Sequence, residues 1–168
     1  MGACLPAGRF KSPLPTNFMK KQSKNIKTVL DILRDEVNGD IPSALKKMTN
    51  DYTMTWVDAG IDGKQLFPTT SKNIKNDMRE AYVIQGRQYD IRNIAEGNGT
   101  VFVELTESYP NPKTKKVYRT PLVLVLEMKN RKIRTGRHYL DPRLSGKHLS
   151  KAQIEKVYKN SNGSMLVI

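Results

Sequence analysis

The stretch from Thr100 to Pro142 constrains the fold of this chain more than any other part of the sequence. It contains three apolar segments, Thr100–Tyr109, Val117–Met128 and Lys132–Asp141, which are separated by two polar turns. The segments are rich in Val, Leu, Tyr and Thr and are bounded by clusters of Pro, Asn and Lys, a pattern typical of β-strands. The sequence therefore predicts a meander of antiparallel strands.

Two helices are predicted ahead of the first strand. Residues 25–38 carry apolar side chains at helical spacing, and Gly39 supplies a stop signal. Asp40 can cap a second, shorter helix, because its carboxylate can accept hydrogen bonds from the free amides of the first turn. Pro42 is tolerated in that turn. Such a helical hairpin needs a sheet to cover its apolar stripe. The stripe of the first helix consists of Ile26, Val29, Leu30, Leu33 and Val37.

The rest of the chain alternates between strands and helices. Tyr52–Val57 is predicted as the first strand, and residues 58–69 as a loop. A third helix and the strand at residues 87–94 then lead through a Gly-Asn-Gly turn into the meander. Ser150 and Gln153 form a capping-box pattern for a closing helix. The third helix would bury Ile74, Met78, Ala81 and Tyr82.

The length of the chain corresponds to one domain. At 168 residues and 19.1 kDa it can bury a substantial core, and no internal repeat is visible. We expect a basic, disordered arm at residues 1–24, a single α+β domain at residues 25–159, and a tail at residues 160–168. The tail ends in Met-Leu-Val-Ile, which is apolar enough to dock on the domain.

Composition excludes several other classes of protein. No apolar run approaches the roughly 18 to 20 residues of a membrane-spanning helix, so we expect a cytoplasmic protein. The segment before Asp31 has no acidic residue, which leaves a mitochondrial presequence as the alternative. Cys4 is the single cysteine, so an intramolecular disulfide is excluded. With two His in the chain, we expect no metal site and no cofactor.

Three segments give the chain a resemblance to a known superfamily. They are VNGDIPSALKKMTNDYTMTW within residues 32–56, GRQYDIRNIAEGNGTVFVELTES at residues 86–108, and RKIRTGRHYLD at residues 131–141. With the element order, they resemble the nuclear transport factor two superfamily, and within it the SnoaL-like and limonene-epoxide-hydrolase-like branch. Members often end their last strand with a Trp-Arg-Asp-Tyr-Phe-Asp-like string, and Gly136–Asp141 looks like a variant of it. The resemblance spans residues 25–142.

The resemblance implies an α+β fold in which a strongly curved antiparallel sheet wraps around N-terminal helices. The sheet forms a cone with a deep pocket at its open end. Members of the superfamily include isomerases, polyketide cyclases, epoxide hydrolases, dehydratases and non-enzymatic modules. The fold alone therefore does not choose a function.

The family's catalytic positions are altered in this chain. In the epoxide-hydrolase branch, an Arg and an Asp two residues apart on one strand act with an Asp on the last strand. The matching positions hold Leu105, Glu107 and His138. We do not expect epoxide hydrolysis, because a trio that orients water cannot survive these changes. In SnoaL-like cyclases the last-strand Asp is the acid/base, so the resemblance assigns that role to His138.

His138 is also the leading catalytic candidate from the strand pattern. Counting across the turn at Asn130 places it near Val123, and beyond that near Val103 or Leu105. Among such neighbours the imidazole would be partly desolvated and neutral near pH 7, as a general base requires. A core histidine bonded to a backbone carbonyl would give the same pattern.

The other candidates would shape a pocket around this histidine. Glu107 would assist catalysis, and a rim carboxylate paired with Lys or Arg is the alternative. Gly136 leaves room that a Trp fills in relatives, which would enlarge the pocket or admit a neighbouring side chain. One face of the first strand would also line the pocket, although an aromatic and Met stripe more often belongs to a core than to a ligand-binding wall. The expected lining residues are Tyr52, Met54, Trp56, Val103, Leu105 and Gly136.

The sequence thus favours a SnoaL-like pocket protein that binds a small apolar molecule. If it is an enzyme, we expect an isomerase or cyclase with His138 as general acid/base. The alternative is a non-catalytic basic module, since the net charge is +13 and the pI about 9.9. Its basic arm and its turns at residues 113–116 and 129–137 would dock on RNA or on a larger protein assembly. The resemblance also implies a homodimer through the exposed sheet face, since members of the superfamily commonly form dimers in this way. The even apolarity of Pro121–Leu126 on both faces is consistent with such a dimer, although a buried strand would show the same pattern.

Overall fold

A computed structural model describes residues 22–57, 69–71, 73, 76–78, 85–145, 147–159 and 166–168 of the chain. Its elements, in chain order, are α1 (Lys24–Val37), α2 (Ile41–Lys46), β1 (Met48–Val57), β2 (Thr69–Ser71), β3 (Gln88–Gly97), β4 (Thr100–Pro110), β5 (Val117–Lys129), β6 (Lys132–Leu140), α3 (Pro142–Ser145), α4 (Lys151–Val157) and β7 (Leu166–Val167). This order confirms the α+β class predicted from the sequence.

The two N-terminal helices form where the sequence predicts them. The Ser23 hydroxyl accepts a 3.1 Å hydrogen bond from the Ile26 amide and so caps α1. The helix ends before Gly39, whose φ of 72° is accessible to glycine at little cost. The Asp40 carboxylate caps α2 by accepting from the Ser43 amide. Each cap satisfies a backbone amide at the start of its helix that has no partner within the helix.

Among the described residues, the sheet contains seven strands in the order β2-β1-β6-β5-β4-β3-β7. Strands β3 to β6 form the predicted antiparallel meander. Strand β1, however, pairs parallel with β6, so the sheet is mixed rather than wholly antiparallel. The parallel pair brings Trp56 opposite His138, and this contact positions the candidate site.

Two tight hairpin turns set the register of the meander. Asn98 and Gly99 have φ values of 51° and 72°, and Asn130 and Arg131 have values of 51° and 61°. Left-handed residues at both central positions match the twist of antiparallel strands. Register shifts in β3 and between β5 and β6 mark β-bulges, which bend a sheet.

Helix α1 packs against the inner, concave face of the sheet. Val29, Leu30 and Leu33 are at most 3% exposed. Strand β4 contributes Val101, Val103 and Leu105, all fully buried on that same face. The opposite, outer face leaves three apolar side chains about 40% exposed, namely Phe102, Val123 and Tyr139.

The C-terminal elements complete the domain. Ser150 and Gln153 form the predicted capping box at the start of α4. Arg92 ties β3 to this part of the chain, because it forms an ion pair with Glu155 and its guanidinium carbon lies 4.4 Å from the centre of the Tyr158 ring. The end of the predicted tail is part of the sheet, since β7 pairs with β3.

Several expectations fall on residues outside the described ranges. These include the basic arm up to residue 21, the loop at residues 58–68, most of the third predicted helix, and residues 160–165. Residues 76–78 of that helix are described and are helical. Within the described ranges, no helix is long and apolar enough to cross a membrane.

Candidate functional site

A cavity of about 300 Å³ lies between α1 and the inner face of the sheet. Most of its wall is apolar and comes from α1, β1, β5 and β6. The apolar lining residues are Val29, Ile32, Leu33, Met48, Met54, Trp56, Met78, Leu122, Leu124, Leu126 and Ile133. Its polar lining residues are Glu36, Tyr52, Asp77, Arg87, Tyr89, Glu107, Tyr109 and His138.

Five residues singled out from the sequence lie in this wall. Tyr52, Met54 and Trp56 extend from β1, Glu107 from β4, and His138 from β6. His138 is half-buried and sits across from Trp56 in the parallel β1–β6 ladder. The cavity wall therefore contains an imidazole whose strand position is paired with that of an aromatic residue.

Val103, Leu105 and Gly136 do not line the cavity. The two β4 side chains belong to the fully buried core on the same face of the sheet. At Gly136, an added Cβ would lie 2.8 Å from the Met54 sulfur and 3.0 Å from the Tyr52 hydroxyl oxygen. The space left by the glycine is thus occupied by neighbouring side chains, the second of the two outcomes considered from the sequence.

The strand register around His138 is shifted by one residue from the register that was counted from the sequence. Its partner on β5 is Leu124, with Val103 next on β4, rather than Val123. The cause is the bulge at Arg134, which has no partner between the pairs Glu127–Thr135 and Met128–Ile133. The neighbours remain apolar.

Glu107 lies toward the other end of the cavity. Its partner on β5 is Thr120, four residues from the His138 partner Leu124, or about 13 Å along the strand. Glu107 instead forms an ion pair with Arg87, which is 8% exposed. Burial raises the pKa of Glu107, and the charge of Arg87 opposes that rise. Glu107 is therefore the paired carboxylate of the alternative interpretation.

Glu36 is the buried carboxyl group that the sequence analysis missed. It is 7% exposed and accepts a 2.8 Å hydrogen bond from the Tyr89 hydroxyl. Burial raises its pKa to about 7, although the Tyr89 hydrogen bond and the charge of Arg87 act in the opposite direction. A carboxyl group in this state exchanges its proton near neutral pH.

A signal for Glu36 was present in the helical pattern. Position 36 lies three residues after Leu33 and seven after Val29, which places it on the apolar stripe of α1. A carboxylate on such a stripe must be either paired or protonated. For Arg87 the signal is its alternation with Tyr89 and Ile91, which puts all three on the inner face.

Tyrosine side chains surround this polar end of the cavity. The Arg87 guanidinium carbon lies 5.2 Å from the centre of the Tyr109 ring. Burial, and then the charge of Glu107, raise the pKa of Tyr109. Burial, and then the charge of Glu36, raise the pKa of Tyr52. The tyrosines therefore stay protonated near neutral pH. In the part of the chain that the structure describes, no group of three or more His, Cys, Asp or Glu is placed to hold a metal ion.

Solved structures share this architecture. A candidate SnoaL-like polyketide cyclase from Shewanella putrefaciens superposes with a TM-score of 0.63 at 12% identity, covering 76% of this chain and 97% of that one. The chain has the nuclear transport factor two-like fold. A candidate isomerase from Bacillus subtilis gives 0.62 at 15% identity, covering 74% and 91% of the two chains. An LEH-like epoxide hydrolase from M. tuberculosis gives 0.59 at 17% identity, covering 84% and 100%.

These likenesses concern the fold alone, and they agree with the fold that the sequence resemblance implies. No protein-family model matches the chain, and no curated protein matches it. Because one fold hosts many reactions, function has to be argued from the residues in the cavity.

Proposed function

We propose that this chain is a SnoaL-like pocket protein that binds a small, largely apolar molecule and moves a proton on it, as an isomerase or cyclase does. The observation that carries the proposal is the placement of His138 in an otherwise apolar part of the cavity wall. Apolar walls bind the ligand through its buried surface, and a few polar groups orient it.

The size of the cavity limits the ligand. Ligand pockets commonly measure roughly 300 to 1,000 Å³, and this one, at about 300 Å³, is at the small end of that range. A molecule of one or two rings fits. Its apolar body would contact Trp56 and Leu124, which also bring it next to the imidazole.

The polar groups divide the work between the two ends of the cavity. His138 is the proposed general acid/base, because an imidazole can take and return a proton near neutral pH. Glu36 and Tyr89 would bind the polar group of the ligand. Glu107 forms an ion pair with Arg87 and is then a positioning residue, because this pair fixes the charge of Arg87 near Glu36. Glu107 does not act as a partner of His138.

The alternative of a basic nucleic-acid module is less well supported. The turn at residues 113–116 precedes β5, and the segment at residues 129–137 begins at the last residue of β5, so the two turns lie at opposite ends of a 13-residue strand. Such a strand is about 40 Å long. The exposed cations of the two turns therefore do not form one continuous patch.

Proton exchange on a model ketone tests the proposal. 2-Tetralone would be incubated with the protein in D2O, and loss of its α-proton signals followed by NMR. The wild-type chain should accelerate exchange, and His138→Asn should slow the accelerated rate by about 100-fold, a typical contribution of general acid–base catalysis. His148→Asn is the matched control, because His148 does not line the cavity.

Two outcomes would contradict this function. Equal acceleration by the wild-type chain and by His138→Asn would remove the imidazole from the mechanism. Exchange no faster than in buffer, together with no change in the fluorescence of Trp56 on adding the ketone, would show that the cavity does not bind such molecules. Trp56 serves as the reporter because it is the single Trp of the chain.

A further inference from the structure

The cavity carries a charge opposite to that of the chain as a whole. The chain has a formal net charge of +13, with 29 Lys and Arg against 16 Asp and Glu. Among the lining residues that the structure describes the balance is reversed, since they include the three carboxyl groups of Glu36, Asp77 and Glu107 and one guanidinium, that of Arg87. A low-dielectric wall strengthens the effect of these charges on anything bound inside.

Pairing leaves Glu36 as the carboxyl group available to a ligand. Arg87 is bound to Glu107, so those two charges largely cancel. Glu36 accepts a hydrogen bond from the neutral Tyr89 hydroxyl, and no basic side chain of the described residues forms an ion pair with it. The charge of Arg87 lowers the pKa of Glu36, but Arg87 forms its ion pair with Glu107, so ionised Glu36 would gain from a cation bound directly beside it.

Aromatic rings add a second preference for a cation. Tyr52, Trp56, Tyr89 and Tyr109 all line the cavity. The faces of such rings attract ammonium groups, and the attraction is larger where water is excluded. An anionic head group would bind less favourably than a cationic one, because it would have to displace Glu107 from Arg87.

We propose that the ligand of this cavity is a lipophilic ammonium ion, whose charged nitrogen binds beside Glu36 and whose apolar body lies against β1 and β5. This rests on the proposed function, to which it adds the charge and chemical class of the ligand. The charged end would be fixed by Glu36 and the tyrosines, and the apolar body would extend toward His138.

The proposal links binding to pH. A cation beside Glu36 favours the ionised carboxylate, so binding releases the proton that Glu36 carries when free. With a free pKa of about 7, Glu36 is about one-tenth ionised at pH 6 and nine-tenths at pH 8, so affinity should rise about tenfold between them. The charged or titratable groups around Glu36 are Asp35, Tyr52, Arg87, Tyr89 and Glu107, with Asp77 and His138 elsewhere in the wall.

Three probes of the same shape test the charge preference. They are 1-adamantylmethylamine, 1-adamantanemethanol and 1-adamantanecarboxylate, which have cationic, neutral and anionic head groups at pH 8. Binding would be measured by the fluorescence of Trp56 and by calorimetry. The amine should bind at least tenfold more tightly than the alcohol, and the alcohol more tightly than the carboxylate.

Glu36→Gln identifies the group responsible. Gln keeps an oxygen that can accept a hydrogen bond from the Tyr89 hydroxyl, so the variant should fold. Its preference for the amine should fall below about twofold, and the rise in affinity between pH 6 and 8 should shrink. Asp31→Asn removes a charge from the exposed side of the same helix and should change neither quantity.

The outcomes separate this inference from the proposed function. If the alcohol binds as tightly as the amine, or if Glu36→Gln keeps the full preference for the amine, the ammonium class is wrong while the apolar pocket stands. If none of the probes changes the Trp56 signal or produces heat, both the inference and the pocket function are overturned.

Discussion

The buried carboxyl group of Glu36 should make the stability of the protein depend on pH, and Glu36→Gln should remove that dependence. Burial raises its pKa from 4.5 to about 7 in the folded chain. In the unfolded chain the carboxyl group ionises near its ordinary value. Between these values the folded state holds a proton that the unfolded state has lost. The free energy of unfolding therefore falls as the pH rises.

The magnitude follows from the size of the shift. The change from 4.5 to about 7 corresponds to about 3 kcal/mol at full effect, because one pKa unit is worth about 1.4 kcal/mol. Most of this effect, about 2 to 3 kcal/mol, should develop between pH 5 and pH 8. The side chain is 7% exposed, so solvent screens little of it. Between pH 5 and pH 8, the free energy of unfolding of Glu36→Gln should therefore rise by this amount relative to that of wild type.

Urea unfolding followed by the fluorescence of Trp56 measures the effect. The free energies of wild type and Glu36→Gln would be compared at pH 5, 6, 7 and 8, and the difference between the two proteins isolates Glu36 from the other titrating groups. Asp31→Asn is the control, since this aspartate is 53% exposed and should leave the wild-type pH dependence intact. A Glu36→Gln variant that loses stability as steeply as wild type would refute the reasoning.

Three further predictions concern other parts of the molecule. Gly136→Ala should lower the free energy of unfolding by less than about 1.5 kcal/mol, because the close atoms of Met54 and Tyr52 are the ends of side chains that can move. These side chains would move into the cavity, so the variant should bind 1-adamantanemethanol more weakly than wild type. Unchanged affinity would contradict this prediction. Arg131→Gly should raise Tm by about 2 to 4 °C, since a non-glycine residue in the left-handed conformation costs about 1 kcal/mol. Calorimetry would measure Tm, and an unchanged Tm would contradict backbone strain at Arg131. If two copies pair through the outer face of the sheet, as the sequence analysis expects, Phe102→Glu should shift the sedimentation coefficient from that of a dimer to that of a monomer. A wild-type chain that is monomeric at every concentration would exclude the pairing.

Local patterns were sufficient for most of the elements. The caps at Asp40 and Ser150 and the Asn98–Gly99 turn depend on neighbours within four residues, and all three were predicted. Strand alternation likewise put Tyr52, Met54 and Trp56 on one face. The parallel pairing of β1 with β6 was not predicted, because nothing in the sequence between them specifies the direction of a distant pair.

The candidate site shows the same division. His138 and Glu107 were identified from strand position and family resemblance, but their relative placement depended on a bulge at Arg134 that the count across the turn did not include. Glu36 and Tyr89 are 53 residues apart in the chain and meet only when α1 packs on the sheet. No local pattern encodes such a contact.

The sequence by itself determined the elements of this protein, their order and the faces they would bury, because hydrophobic spacing and capping are properties of a few adjacent residues. The tertiary structure decided the charge of the cavity. Burial raises the pKa of Glu36 to about 7 while Tyr89 and Arg87 act in the opposite direction, and the residues that bury it and those that oppose the rise come from distant parts of the chain.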